Sequence, residues 1–114
     1  MRHALQGLLE LIRSERNARL HLLSTVLVLA LGYQIGFDAM EWLWIGLAIA
    51  GVWFAELINS ALEALVDLAQ PEVHPLAKKA KDYAAAAVLV MAIWAVSVFA
   101  LLAIPKLWLY LMLN

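Results

Sequence analysis

The chain has 114 residues, 66% of them hydrophobic, and it carries 8 Lys and Arg against 9 Asp and Glu, which gives a formal net charge of −1. A chain of this length forms one compact unit, and an apolar fraction so far above that of soluble domains indicates a membrane protein. Because cysteine is absent, the composition excludes a disulfide framework and a thiolate metal site.

The first predicted element is an amphipathic helix over residues 1–18. Its apolar residues recur at helical spacing on one side: Leu5, Leu8, Leu9 and Ile12. Its polar residues take the other side: Gln6, Glu10 and Arg13. Such a pattern is typical of a helix that lies on the membrane surface. We expect no cleaved signal peptide, because no continuous apolar centre is followed by a small-residue cleavage site.

Three later segments are long enough to cross a bilayer core, which takes about 20 mainly apolar residues. They are residues 20–37, 42–69 and 84–104. Gly32 and Gly36 have a spacing that allows close helix approach, and Pro105 is expected to stop or kink the third span. The sequence therefore predicts an all-α membrane protein with an N-terminal surface helix and three transmembrane helices.

The cations predict the orientation of the spans. Seven of the eight Lys and Arg lie before the first span or between the second and third, whereas residues 34–41 contain none. The positive-inside rule therefore puts the N-terminus and the 70–81 loop in the cytoplasm and the 106–114 tail outside.

Polar side chains interrupt the second span on one side only. They are Glu56, Asn59, Ser60, Glu63 and Asp67. At about 100° per residue these positions fall within a stripe roughly 100° wide, so the later half of the helix has a single polar face. Each ionisable group at membrane depth costs on the order of 2.5 to 3.5 kcal/mol, and such groups usually mark a functional site.

The charged residues predicted at the cytoplasmic interface suggest phosphoryl transfer. The acids there are Glu15, Glu56, Glu63, Asp67 and Asp82, and the bases include Arg16, Arg19, Lys79 and Lys81. Carboxylates suit Mg²⁺, which is commonly held by one or two of them together with substrate phosphates, and nearby Lys or Arg suits the phosphates. No Walker sequence and no G-x-G-x-x-G motif is present, so a site for ATP would be built from helices.

The motif from Glu56 to Asp67, E-L-I-N-S-A-L-E-A-L-V-D, is followed by His74 and then by A-K-K-A-K-D ending at Asp82. Together with S-E-R-N-A-R-L-H from Ser14, this pattern resembles the small prokaryotic diacylglycerol kinase family, which also contains the undecaprenol kinases. The resemblance covers about residues 15–105. It implies a homotrimer in the bacterial cytoplasmic membrane, with active sites between subunits at the cytoplasmic face, that moves the γ-phosphoryl group of MgATP directly onto a lipid hydroxyl.

The resemblance also implies roles for individual residues. Glu56 would be the general base, Asn59 would orient the reacting groups, and Glu15 and Glu63 would hold Mg²⁺. The residues implied to bind the nucleotide are Lys81, Asp82, His74 and Arg19. The elements around Glu15 and His74 look more like the undecaprenol kinase branch, so undecaprenol is favoured over diacylglycerol as the acceptor.

Plainer interpretations stand beside these roles. Asp67 also suits a solvated helix end, Asp82 the N-cap of the third span, and His74 an ordinary loop residue. A structural hydrogen bond to a neighbouring helix is the alternative for Glu56.

Two other classes of function remain as alternatives. A proton or cation transporter also places acids within its spans, but it usually needs a polar path to both faces, and residues 42–55 contain no ionisable group. A non-catalytic assembly subunit explains Gly32, Gly36 and the alanines at 84–87, but not five acids beside a basic loop. The pattern favours the kinase.

Overall fold

The computed structural model describes all residues from Met1 to Asn114 as a bundle of four α-helices, 60 × 32 × 22 Å in extent. The helices are α1 (Arg2–Ser14), α2 (Arg16–Ile35), α3 (Ala39–Ala69) and α4 (Pro75–Leu113). The last three are each long and apolar enough to cross a membrane. The predicted fold class, an all-α membrane protein, is therefore confirmed.

The surface helix is shorter than the expected 1–18 segment. It ends at Ser14, because Glu15 adopts an extended backbone with φ −108° and ψ 121°, and α2 begins at the next residue. Arg19 spans this break, since its Nη1 donates a hydrogen bond of 2.9 Å to the carbonyl of Arg13. A break of one residue leaves the hydrophobic pattern almost unchanged, and for that reason the sequence pattern did not reveal it.

The turn between α2 and α3 depends on two different glycine properties. Gly36 adopts a left-handed conformation with φ 82°, which lets its N–H and that of Phe37 bond to the carbonyl of Gly32. Gly32 is buried beneath the rings of Phe37 and Trp42, which stack edge to face at 5.6 Å. Within the chain Gly32 admits the ring of Trp42 from α3 and Gly36 forms the turn; close approach of helices at these glycines between subunits stays a prediction.

A basic side chain joins α4 to this turn. Lys106 Nζ lies 2.8 Å from Glu41 Oε2 and 3.3 Å from the carbonyl of Gly36. Glu41 is held in turn by a capping box with Asp38 at the start of α3. Pro105 was expected to stop or kink the third span; the helix does not stop there, because α4 continues through Pro105 to Leu113. Transmembrane helices tolerate proline because neighbouring groups satisfy the freed carbonyl.

The connection between α3 and α4 is also shorter than the expected 70–81 loop. His74 is the N-cap of α4 and its Nδ1 accepts a hydrogen bond of 3.1 Å from the N–H of Leu76, while Pro75 occupies the first helical turn. Asp82 therefore lies inside α4 rather than at its N-cap, and it pairs with Lys78 one turn earlier. The lysine-containing part of the expected loop therefore belongs to the first turns of α4 and extends that helix beyond its apolar part.

Packing is concentrated between α3 and α4. Their contact forms a core cluster that also includes the α2–α3 turn: Phe37, Ile45, Ala48, Val98 and Ala103. Only 12 of the 114 residues are buried, so most apolar side chains face outward. An apolar surface of this kind suits acyl chains or neighbouring subunits in a membrane.

Candidate active site

Glu56 is the deeply placed acid of the structure. It follows Ala39 by 17 residues, about 25 Å along α3, in a helix that is long and apolar enough to cross a membrane. It is 2% exposed, on the same buried face as Val52 and Ala55. The side chain forms no hydrogen bond, and its Oε2 is fully enclosed without a partner. A buried carboxylate oxygen without a partner is costly, so its presence points to a ligand or a reaction.

The predicted polar stripe continues from Glu56 towards the end of α3. Asn59 and Glu63 are half-buried and Asp67 is exposed, so burial decreases steadily along the stripe. Asn59 Nδ2 donates a hydrogen bond of 3.4 Å to Glu63 Oε1, whereas Asn59 Oδ1 is enclosed without a partner. The stripe therefore presents two unpartnered buried oxygens, one from Glu56 and one from Asn59.

These oxygens belong to a groove of about 290 Å³ between α2, α3 and α4. Its polar residues are Asn17 and His21 from α2 with Glu56 and Asn59 from α3, and alanine, valine and leucine side chains complete the wall. His21 Nε2 lies 3.7 Å from Glu56 Oε2. The groove therefore combines polar side chains, where the stripe begins, with apolar walls.

Three of the four residues predicted to bind the nucleotide line a second pocket, separate from the groove. His74, Lys81 and Asp82 line a pocket of about 320 Å³ together with Asp67, and this pocket shares no residue with the groove. Lys81 forms an ion pair with Asp67 across the α3–α4 connection. Within one chain, the predicted site residues are therefore divided between the groove, which involves α2, α3 and α4, and the pocket at the α3–α4 connection.

Three further predicted residues lie outside the groove lining. Glu15 is half-buried at the α1–α2 break, and it and Glu63 both interact electrostatically with Glu56. Arg19 is exposed and turned towards the end of α1, where it bonds to Arg13, so it lines neither region. The chain brings four predicted residues to one area: Glu15, Glu56, Asn59 and Glu63.

The arrangement of acids can be tested against a metal ion. No group of three or more His, Asp or Glu side chains that could hold a metal occurs within the chain. Mg²⁺, however, is commonly held by one or two carboxylates and completed by substrate phosphates and water. The carboxylates of Glu15 and Glu63 and the unpartnered Oδ1 of Asn59 are oxygen donors of the right kind. The residues fit a Mg²⁺ ion that arrives with a phosphate ligand.

Comparison with known proteins assigns the family. The family model described as prokaryotic diacylglycerol kinase matches residues 2–103. The chain belongs to this family. As a member of the prokaryotic diacylglycerol kinase family, it is a membrane enzyme of the lipid kinase class that uses ATP.

Relatives with known names are similar over much of the chain. An undecaprenol kinase of Bacillus subtilis (strain 168) is 42% identical over 105 residues, which cover 92% of this chain and 85% of the relative. A diacylglycerol kinase of Synechocystis is 38% identical over 107 residues, covering 93% of this chain and 61% of the relative. The diacylglycerol kinase of Escherichia coli (strain K12) is 33% identical over 79 residues, covering 69% and 65%. Because these relatives are named kinases, the comparison favours an enzyme over the transporter and the assembly subunit.

Two groove residues of this kinase were not assigned a role from the sequence. Asn17 and His21 line the groove from α2, four residues apart, which places them on one face of the helix. The four-residue spacing is visible in the sequence, but only the packing of α2 against α3 brings these two side chains opposite Glu56.

Proposed function

We propose that this lipid kinase transfers the γ-phosphoryl group of MgATP directly to the hydroxyl group of undecaprenol, in preference to diacylglycerol. The observation that carries the chemistry is the buried Glu56 carboxylate with an unpartnered oxygen in a groove between the spans. The preference for undecaprenol is supported by the Bacillus subtilis relative, which aligns over 85% of its length.

In this reaction Glu56 accepts the proton of the lipid hydroxyl as that oxygen bonds to the γ-phosphorus. The bond from the γ-phosphorus to the bridging oxygen breaks, and ADP leaves with the electron pair. A positioned general base of this kind contributes about 10²- to 10⁴-fold to the rate. Asn59 orients the reacting groups, since its enclosed Oδ1 is free to accept a hydrogen bond. The phosphoryl group passes directly to the lipid, with no phosphoenzyme.

Charged residues hold the nucleotide in this proposal. Lys81 exchanges its partner Asp67 for a phosphate oxygen, and His74 and Asp82 line the same pocket. Arg19 reaches the nucleotide only if it releases the carbonyl of Arg13. Glu15 and Glu63 would hold Mg²⁺, and the ion would supply neutralisation of the phosphate charge.

The assembly and orientation are also part of the proposal. A homotrimer would cover the outward apolar faces of the spans and complete the divided site from a neighbouring subunit. The N-terminus and the α3–α4 connection would lie in the cytoplasm of a bacterium, where ATP is found, with the C-terminus outside. Both statements follow the family resemblance and the distribution of Lys and Arg.

The acceptor is tested by supplying purified protein with MgATP labelled at the γ-position and one lipid at a time. Diacylglycerol, undecaprenol and ceramide are compared at equal mole fraction in the same nanodiscs. We expect labelled undecaprenyl phosphate as the main product. A higher kcat/KM for diacylglycerol would overturn the acceptor assignment and identify the enzyme as a diacylglycerol kinase.

Lys81 is expected to act on ATP rather than on the lipid. Replacing Lys81 by Met should raise the KM for ATP about tenfold or more, because a hydrogen bond to a charged group contributes roughly 1.5 to 3 kcal/mol. The KM for the lipid should stay unchanged. Lys79→Met is the matched control, since Lys79 lies on the same helix, its Nζ is 5.6 Å from the centre of the Tyr83 ring, and it does not line the pocket of Lys81. An equal increase in the KM for ATP in both variants would show that Lys81 contributes only as a general surface charge.

Glu63 is expected to set the affinity for the metal. Loss of an outer-shell partner alone typically weakens metal binding by about 10- to 100-fold, so Glu63→Gln should raise the half-maximal Mg²⁺ concentration at least about tenfold. Titration of activity with MgCl₂ at fixed ATP measures this shift, and chelation with EDTA should stop turnover in the unmodified enzyme. Glu10→Gln, an exposed site on α1, should titrate normally. An unchanged Mg²⁺ requirement in Glu63→Gln would exclude Glu63 as a ligand.

A further inference from the structure

His21 is the one ionisable partner within salt-bridge distance of Glu56. Its Nε2 lies 3.7 Å from Glu56 Oε2, and the two side chains are 22% and 3% exposed. Oε2 is the fully enclosed oxygen of the carboxylate, and Glu56 makes no hydrogen bond through either oxygen. The imidazole nitrogen therefore lies beside the enclosed oxygen, Oε2, of the carboxylate.

A polar link between helices keeps His21 at this position. Trp53 Nε1 donates a hydrogen bond of 3.1 Å to Thr25 Oγ1, and Thr25 Oγ1 donates one of 2.7 Å to the carbonyl of His21. Trp53 precedes Glu56 by three residues, so both project from neighbouring positions on one side of α3. The link fixes the spacing of α2 and α3 beside the carboxylate.

We propose that His21 is a positioning residue that holds the Oε2 side of the Glu56 carboxylate, so that Oε1 faces the acceptor hydroxyl. This role rests on the proposed function of Glu56 as general base. The 3.7 Å separation exceeds a hydrogen bond, but hydrogen bonds at catalytic groups are often long without substrate and tighten in the complex. A donor on Oε2 also satisfies the enclosed oxygen, for which the chain supplies no other partner.

The test compares His21→Ala with His21→Gln in nanodiscs that contain the preferred lipid. Because a misplacement of about 1 Å can lower a rate by about 10²-fold, we expect His21→Ala to reduce kcat about 10- to 100-fold with the KM for ATP unchanged. His21→Gln keeps an N–H donor near the position of Nε2 and should recover most of the kcat. Thr25→Val, which removes the link to Trp53, should lower kcat about twofold to tenfold, as expected for one hydrogen bond.

Ser97→Ala is the matched control for removal of a hydroxyl within a span. Ser97 is exposed on α4 and bonds only to the carbonyl of Ile93, so its kcat should equal that of the unmodified enzyme. Thermal unfolding of each variant separates loss of folded protein from loss of rate. A merely structural His21 would lower the unfolding temperature and leave the kcat of the folded fraction intact.

The outcomes separate this inference from the function on which it rests. An unchanged kcat in His21→Ala, or equal losses of kcat in His21→Ala and His21→Gln, would overturn the positioning role of His21. If Glu56→Gln is inactive in the same assay, the role of Glu56 as general base still stands. Full turnover by Glu56→Gln would overturn the proposed base itself. A kcat loss in His21→Ala that His21→Gln recovers, with Glu56→Gln inactive, supports both.

Discussion

Replacing Glu56 by Gln should lower lipid phosphorylation by about 10²- to 10⁴-fold, the range over which a positioned general base contributes to a rate. The amide keeps the shape of the carboxylate, but it cannot accept the proton of the lipid hydroxyl. The loss should therefore appear in kcat, with the affinity for ATP and the size of the oligomer retained. Steady-state kinetics, nucleotide binding and size-exclusion chromatography of the same preparation measure these three quantities.

Glu41→Gln is the matched control, because it makes the same change on the same helix, in the first turn and away from the groove. Glu41 pairs with Lys106 and caps the start of α3, so its loss should affect stability but not the kcat of the folded enzyme. If Glu56→Gln turned over at the rate of the unmodified protein, another group would have to take the proton. The buried carboxylate of Glu56 would then have a structural role and no catalytic one.

Replacing Gly32 by Ala should destabilise the protein by about 1 to 3 kcal/mol, the usual cost of overpacking a well-packed site. A Cβ atom at Gly32 would lie 2.6 Å from Trp42 Cη2 and 2.9 Å from Phe37 Cδ2. Neither ring can move freely, because Phe37 also contacts the rings of Trp42 and Phe99 edge to face. Thermal unfolding in detergent should show a lower midpoint for the variant.

Gly46→Ala serves as the control for this substitution. Gly46 lies within α3, and nothing lies within 4 Å of a Cβ atom placed there. Since Ala is favoured over Gly in a helix by about 0.8 to 1 kcal/mol, this variant should be as stable as the parent or more stable. A Gly32→Ala protein that unfolded at the parent temperature would contradict the tight packing of the turn.

The spans and the polar face of the second span were predictable because both depend on local patterns. Long apolar runs identify membrane helices, and the 3.6-residue period places Glu56, Asn59 and Glu63 on one side of any helix that contains them. The helix ends were less predictable. The extended backbone at Glu15 and the helical extension from Pro75 to Asp82 lie in polar segments, where hydropathy does not distinguish helix from loop.

The site shows the same division between local pattern and packing. The motif around Glu56 identified the family, and the match to residues 2–103 confirmed it. Sequence spacing did not reveal that Arg19 bonds to Arg13, that Lys81 is paired with Asp67, or that the nucleotide residues line a pocket separate from Glu56. Each of these depends on contacts between residues that belong to different helices or lie across a helix break.

The sequence by itself determined that this protein is a three-span membrane kinase with acids on one face of its middle span, because hydrophobicity, helical period and motif are properties of consecutive residues. Only the tertiary structure decided which atoms meet. It buried Glu56 while leaving Asp67 exposed, and it brought His21 of α2 to the enclosed oxygen of Glu56 on α3. The physical reason is that burial and pairing depend on how the helices pack, and the hydrogen bond from Trp53 to Thr25 that sets this spacing joins residues 28 positions apart.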